Sequence, residues 1–140
     1  MATGPENLKR LGQLKSYGGA PLPKPLQYAA AAVWSDEEHV KENRKLYAAK
    51  YKLADDILSG LDGYSSPEAG FFLWLKVQDS EKTTLDLWRE TGVRVLPGAY
   101  LAQETNGRNP GQNFIRVALV AQQNVTREAL TKIRFFLDKQ

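Results

Sequence analysis

The clearest pattern in the chain is an apolar stripe that begins after residue 35. Apolar residues recur there at steps of seven, four, three, four and three, which is the spacing of one helix face. The members of the stripe are Val40, Tyr47, Tyr51, Ala54, Leu58 and Leu61. Ser35 with Glu38 three residues later matches a capping box. We therefore predict a long helix from residue 35 to about Ser59, with a break or bend near Ser35.

Shorter apolar runs after this helix predict three strands and two more helices. The strands are expected at 70–77, 93–96 and 113–121, and the helices at 81–91 and 124–138. In the first of these helices Leu85 and Trp88, three positions apart, are expected to form the buried face. The order of elements predicts an α+β fold, with a long N-terminal helix and a small mixed three-stranded sheet with helices packed on it.

The first part of the chain has a different character. Residues 1–27 contain four of the seven prolines, a short helix is expected at 6–14, and residues 18–25 are expected to be extended. So long an irregular start is unusual for a compact domain. Such a segment is either a linker or a piece of a neighbouring domain. We therefore divide the chain into this segment, residues 1–34, and a second domain, residues 35–140.

Composition excludes several classes of protein. The net charge is only +3, there is no cysteine, and His39 is the single histidine, so we expect no nucleic-acid partner and no metal site. We interpret His39 as an exposed helix residue. No apolar run approaches the roughly 20 residues that span a membrane, and the N-terminus lacks the apolar core of a secretory signal. These features predict a soluble, cytoplasmic protein with no membrane partner.

Arg116 is the residue whose surroundings suggest binding. It lies in Phe114-Ile115-Arg116-Val117-Ala118, among apolar neighbours, where an unpaired guanidinium is costly. A planar guanidinium can bind a carboxylate through two hydrogen bonds. From the residues alone, Arg116 is either a structural arginine, pointing to water or held by an internal acidic partner, or an arginine that binds a substrate carboxylate.

Four stretches together resemble a known enzyme family. They are WSDEEHVKENR at 34–44, PEAGFFLWL at 67–75, GVRVLPGAYL at 92–101 and NPGQNFIRVAL at 109–119. In this order they are similar to the C-terminal small domain of fold-type I pyridoxal-phosphate-dependent aminotransferases of class I/II. Within that family they are most similar to the succinyldiaminopimelate aminotransferases, which serve lysine biosynthesis with glutamate as the amino donor.

The resemblance implies roles for particular residues. It makes Arg116 the residue that binds the α-carboxylate of the amino-acid or keto-acid substrate, and Pro97, Gly98 and Tyr100 residues that line the substrate pocket. It also implies that residues 1–34 are a remnant of the large domain. Pyridoxal phosphate would be the cofactor of the parent enzyme, and the parent would be a transferase.

The resemblance also indicates what this chain lacks. The family's Schiff-base lysine follows a serine and precedes a G-x-R-x-G pattern, and none of the 11 lysines has that context. We therefore expect a fragment of an aminotransferase that contains no catalytic residue, binds no cofactor alone and is inactive. The alternatives are a stand-alone carboxylate-binding module and a protein-interaction domain. Apolar surface left uncovered by a missing large domain predicts a homodimer or higher oligomer.

Overall fold

The computed structural model describes residues 4–19 and 22–139. It divides the chain into two compact units, the first ending at Lys41 and the second beginning at Glu42. The first unit contains two helices, α1 (Pro5–Gly18) and α2 (Lys24–Ser35). Neither helix has a buried residue.

α1 is longer than the sequence pattern predicted, and α2 begins within the segment that was predicted to be extended. α1 continues to Gly18, beyond the predicted end at residue 14. α2 begins at Lys24, although Lys24 precedes a proline and was expected to be extended. Pro25 is tolerated there because a proline in the first helical turn needs no N–H partner and has a suitable φ angle. Gly19 and Pro23 are extended as expected, and residues 20–21 lie outside the described residues.

The predicted break near Ser35 is confirmed, but the predicted cap is wrong. Ser35 is the last residue of α2, and its hydroxyl donates to the carbonyl of Ala31 at 2.8 Å. The next helix, α3 (Glu38–Leu58), is instead preceded by Asp36, whose carboxylate accepts from the backbone N–H of Glu38 at 3.0 Å. A serine can donate to the carbonyl four residues earlier as well as cap a helix, and the sequence does not distinguish these uses.

The C-terminal half of α3 contributes to the core of the second unit. Leu53, Ala54 and Leu58 are buried, and Tyr47 and Tyr51 pack against the same core. The apolar stripe therefore predicted this contact correctly. With 21 residues, the helix is about 31 Å long.

The sheet has three short strands, β1 (Phe72–Lys76), β2 (Leu96–Pro97) and β3 (Phe114–Ala118). Their order is β1-β3-β2, and both pairings are antiparallel. The α+β fold is confirmed, but the sheet is not mixed. β1 and β2 run in the same direction, and β3 lies between them, so no two parallel strands are neighbours.

Two helices complete the second unit, together with a short 3-10 turn at Gly98–Leu101. α4 spans Ser80–Thr91 and α5 spans Gln123–Leu137. Gly92 ends α4 in the left-handed conformation, with φ of 75°, which a glycine adopts without steric cost. In α4 the predicted buried face is wrong: Leu85 and Trp88 are 46% and 47% exposed, whereas Leu87 is buried. Thr83, which is also buried, lies four residues before Leu87 and marks the true inner face.

One face of the sheet forms the hydrophobic core and the other is open. Leu73 and Leu75 of β1 and Ile115 and Val117 of β3 are buried in one cluster with residues of α3, α4 and α5. Alternate positions on the same strands, which include Trp74 and Arg116, remain half-buried or exposed. Within the described ranges no helix is long and apolar enough to cross a membrane.

Candidate carboxylate-binding site

Arg116 lies at the middle of the central strand, on the open face of the sheet. Its backbone is paired with Trp74 of β1 on one side and with Leu96 of β2 on the other. Trp74 is 44% exposed and Leu96 is 45% exposed. The side chains of β3 alternate, since Phe114, Arg116 and Ala118 share the open face while Ile115 and Val117 are buried.

The guanidinium of Arg116 is stacked on an aromatic ring. Its central carbon lies 4.2 Å from the centre of the Phe72 ring, well inside the roughly 6 Å range of a cation–π contact. The Nε atom is buried and has no hydrogen-bond partner. A buried donor without an acceptor costs about 1–3 kcal/mol, so this position of the side chain lowers the stability of the fold.

The charge of Arg116 is not neutralised within the part of the chain that the structure describes. The nine ion pairs found among the described residues do not include Arg116. An internal acidic partner was one of the two structural alternatives that the sequence left open, and none is found among the described residues. An arginine half-buried on a rigid strand and without a counter-ion is available to bind an anion.

Two shallow cavities are lined by Trp74, the cross-strand partner of Arg116, although Arg116 itself lines neither of them. The first, of about 270 Å³, is formed by the loop before β1 and by Phe71, Phe72 and Trp74. The second, of about 320 Å³, is lined by Trp74, Ala102, Pro110, Gly111 and Phe114 and is almost wholly apolar. Trp74 and Phe114 meet edge to face, with ring centres 6.4 Å apart. The open face therefore presents aromatic, largely apolar side chains around the charged side chain of Arg116.

The three residues predicted to line the pocket occupy different environments. Pro97 is buried and its backbone pairs with Ile115. Gly98 is buried where its backbone closely approaches that of Gly111, and the Trp74 ring lies next to it. Pro97 and Gly98 thus lie close to the open face, but neither they nor Tyr100 line the two cavities that Trp74 lines.

Tyr100 points toward α4. Its side chain is 69% exposed, and its hydroxyl donates to Oε2 of Glu81 at 3.1 Å. The hydrogen bond to the Glu81 carboxylate raises the pKa of Tyr100, since the carboxylate favours the protonated phenol. The hydrogen bond keeps the phenol protonated and turned toward Glu81.

Sequence reasoning missed Phe72 and Trp74 as members of the site. Both lie on a strand whose apolar character is plain, but nothing in the sequence sets the register between β1 and β3. Once Trp74 pairs with Arg116, Phe72 becomes a diagonal neighbour on the same face. The period-2 alternation within each strand was the only available signal. It indicates which residues of one strand share a face of the sheet, but not which residues of the neighbouring strand lie opposite them.

Other chemistry is sparse in the described residues. No group of three or more His, Asp or Glu side chains among them could hold a metal ion. His39 is exposed and lies 3.2 Å from the Asp36 carboxylate at the start of α3. Hydrogen bonds from the Glu38 backbone and from His39 lower the pKa of Asp36. This pair stabilises the helix start and does not form a reactive centre.

The residues present do not fit pyridoxal phosphate as a resident cofactor. The two cavities that Trp74 lines contain no lysine, which would bind the aldehyde, and no aspartate, which would pair with the ring nitrogen. A third cavity, of about 240 Å³, includes Lys76, but its ammonium lies 2.8 Å from the Asp62 carboxylate. Lys50 donates to the carbonyl of Leu119. The linings of these three cavities therefore do not fit the cofactor.

Known proteins resemble this chain over most of its length. The chain is 35% identical to an aminotransferase from Neisseria meningitidis, with a TM-score of 0.81 over 94% of this chain and 34% of that one. It is 27% identical to the aminotransferase AspB from Helicobacter pylori, with a TM-score of 0.77 over 96% of this chain and 34% of that one.

Curated relatives agree with the solved structures. The 4-dedimethylamino-4-oxo-anhydrotetracycline transaminase OxyQ of Streptomyces rimosus is 28% identical over 84% of this chain and 31% of its own length. The LL-diaminopimelate aminotransferase of Halothermothrix orenii is 25% identical over 91% of this chain and 32% of its own length. The chain thus spans about a third of the length of these relatives.

The family profile described as aminotransferase class I and II matches residues 6–133. This match covers both units of the structure and includes the strand that carries Arg116. The chain belongs to the aminotransferase class I and II family.

Proposed function

We propose that this chain supplies the substrate-carboxylate clamp of a pyridoxal-phosphate-dependent aminotransferase, with Arg116 as the clamp. The observation that carries the proposal is a guanidinium on the central strand that has no counter-ion among the described residues. An enzyme that transfers an amino group between amino acids and 2-keto acids must bind a carboxylate on every substrate. A guanidinium is suited to that task because it is permanently charged and planar and can donate hydrogen bonds to both carboxylate oxygens.

We also propose that the chain does not transaminate by itself. The cofactor supplies the electron sink for the reaction, and no lysine of the chain has the family's Schiff-base context. Arg116 therefore binds and orients the carboxylate, and the cofactor chemistry belongs to residues outside this chain. Pro97, Gly98 and Tyr100 form the turn next to the clamp and line the substrate pocket of the complete enzyme.

For the substrate we propose a succinyldiaminopimelate/glutamate pair, in the service of lysine biosynthesis. The sequence runs DEEHVKENRKLY at 36–47 and NPGQNFIRVALV at 109–120 favour this type. A relative named as an LL-diaminopimelate aminotransferase supports a diaminopimelate-like substrate. The relative named as an anhydrotetracycline transaminase indicates that related proteins act on very different substrates.

Binding of a simple carboxylate tests the clamp. Acetate titrated into the ¹⁵N-labelled chain should shift the side-chain signals of Arg116, whereas the isosteric neutral acetamide should not. Arg116→Leu should abolish the acetate response, and Arg127→Leu, which changes an exposed arginine on α5, should leave it intact. Equal acetate binding by the wild type and Arg116→Leu would contradict the proposal.

A separate assay tests whether the chain alone is inactive. Free pyridoxal phosphate transfers amino groups slowly without protein, so it provides the baseline. We expect the chain with pyridoxal phosphate, glutamate and a keto acid to match that baseline. A rate above it that Arg116→Leu removes would contradict inactivity. A stand-alone carboxylate-binding module would also bind carboxylates and show only baseline activity. The native gene distinguishes the two, because a reading frame that continues upstream indicates an enzyme fragment.

A further inference from the structure

We propose that Phe72 is a positioning residue for the clamp, and that it makes Arg116 bind a carboxylate end-on through its two terminal nitrogens, Nη1 and Nη2. This inference rests on the proposed function, because it concerns how the same arginine presents itself. Its geometric part, the packing of Phe72 against the guanidinium, is tested without any ligand.

The Phe72 ring is held from behind by other aromatic side chains. The rings of Phe71 and Phe72 have centres 4.0 Å apart, and the rings of Tyr47 and Phe71 have centres 6.0 Å apart. Tyr47 belongs to α3, whose C-terminal half is anchored in the core. A row of three rings, Tyr47-Phe71-Phe72, therefore runs from the long helix to the guanidinium.

The stack fixes the plane of the guanidinium. A long arginine side chain on an open sheet face would otherwise sample many rotamers. Contact with the Phe72 ring at 4.2 Å favours the rotamers that lie flat against the ring. The strand that carries Arg116 is paired with a strand on each side, so its Cα is fixed at one end of the side chain while the ring contact restrains the other.

The accessibility of the guanidinium nitrogens then selects the binding geometry. Nε is buried without a partner, so a carboxylate oxygen cannot reach it without moving the side chain. Nη1 and Nη2 are not among the buried unpaired atoms, and no described residue accepts a hydrogen bond from them. The remaining bidentate arrangement pairs the two carboxylate oxygens with Nη1 and Nη2.

Three variants separate positioning from packing. Phe72→Leu keeps an apolar side chain but removes the ring, Phe72→Tyr keeps the ring, and Phe135→Leu makes the same change at an exposed position on α5. In the ligand-free chain, the Arg116 Nε–H should exchange with solvent about tenfold faster in Phe72→Leu, and at the wild-type rate in the other two. The Kd for acetate should rise about two- to fivefold in Phe72→Leu, as expected for an exposed cation–π contact of ~0.5–1 kcal/mol.

The wild-type chain provides a further measurement that needs no folded variant. Saturation with acetate should shift the Nη signals of Arg116 and leave the Nε–H signal in place. Unchanged Nε–H exchange in Phe72→Leu would overturn the positioning role, and an Nε–H shift as large as the Nη shift would overturn end-on binding. Acetate binding that does not depend on Arg116 would overturn the proposed function and, with it, the end-on part, while the exchange rates still decide whether Phe72 positions the guanidinium.

Discussion

Gly98 offers a sharp test of how the turn beside the clamp is built. Its backbone approaches Gly111 so closely that a Cβ atom built at Gly98 would overlap the carbonyl oxygens of Gly111 and Phe114. A Cβ at Gly111 would in turn overlap the backbone of Gly98. Because all of these neighbouring atoms belong to the main chain, no side-chain rotation can relieve the overlap.

The size of the effect follows from this geometry. An added methyl group at Gly98 would lie roughly 1 Å inside normal contact distance of two oxygens, so two backbone segments must move apart. Overpacking of a buried site costs 1–3 kcal/mol and occasionally more. We expect Gly98→Ala to destabilise the second unit by about 3 kcal/mol.

Urea unfolding followed by tryptophan fluorescence measures this loss. With an m value of about 1–3 kcal/mol/M, the midpoint should fall by about 1–3 M. Gly60→Ala is the matched control, because Gly60 has φ of 81° and open space around its Cβ position. That variant pays only the strain of a left-handed residue, about 1–2 kcal/mol. If Gly98→Ala loses no more stability than Gly60→Ala, the close approach of the two backbones does not exist as described.

Three further outcomes are expected. Burial, and then the hydrogen bond donated to Asp55, raise the pKa of Tyr64 above its usual value near 10. The folded chain therefore keeps a proton that the unfolded chain loses, so stability should fall as the pH rises above about 10. Tyr64→Phe should flatten that decline in urea midpoints measured between pH 8 and 11, and an equal decline in both chains would refute the linkage. Arg134 donates to the carbonyl of Ser59 at 2.8 Å, just beyond the end of α3, so Arg134→Met should cost about 1–2 kcal/mol in thermal unfolding. Arg127→Met should cost less than about 0.5 kcal/mol, and similar losses in the two variants would contradict the capping role. Exposed apolar side chains on α1 and α2 should cause self-association that grows with concentration in sedimentation velocity, and a single monomeric species at every concentration would contradict this.

The elements of the fold were largely predictable, because each depends on local pattern. The stripe on α3 and the glycine that ends α4 are both properties of a few neighbouring residues. The wrong predictions concern positions where the same local sequence is compatible with two structures. Ser35 can cap one helix or end another, and in α4 the pair Leu85 and Trp88 is more apolar than Thr83 and Leu87, although only the second pair is buried.

The sequence identified one residue of the candidate site but not the residues around it. Arg116 stands out because a charge interrupts an apolar strand. The neighbours that shape it, Phe72 and Trp74, are placed by the register between strands some 40 residues apart in sequence. The order β1-β3-β2 was equally hidden, since the sequence does not show that β3 lies between the other two strands.

The central position of β3 also bears on how such a clamp could change over evolution. Main-chain hydrogen bonds from alternate residues of β3 to β1 and β2 hold the strand and with it the Cα of Arg116, and these bonds do not depend on which side chains the flanking strands carry. Trp74 and Leu96 stand on either side of the arginine and can be exchanged for smaller, larger or more polar residues without moving it. Under the proposed function, a sheet of this kind would therefore separate the part of recognition that every substrate shares from the part that distinguishes one substrate from another. Selection, or a designer, can alter the second part through single substitutions while the first remains in place.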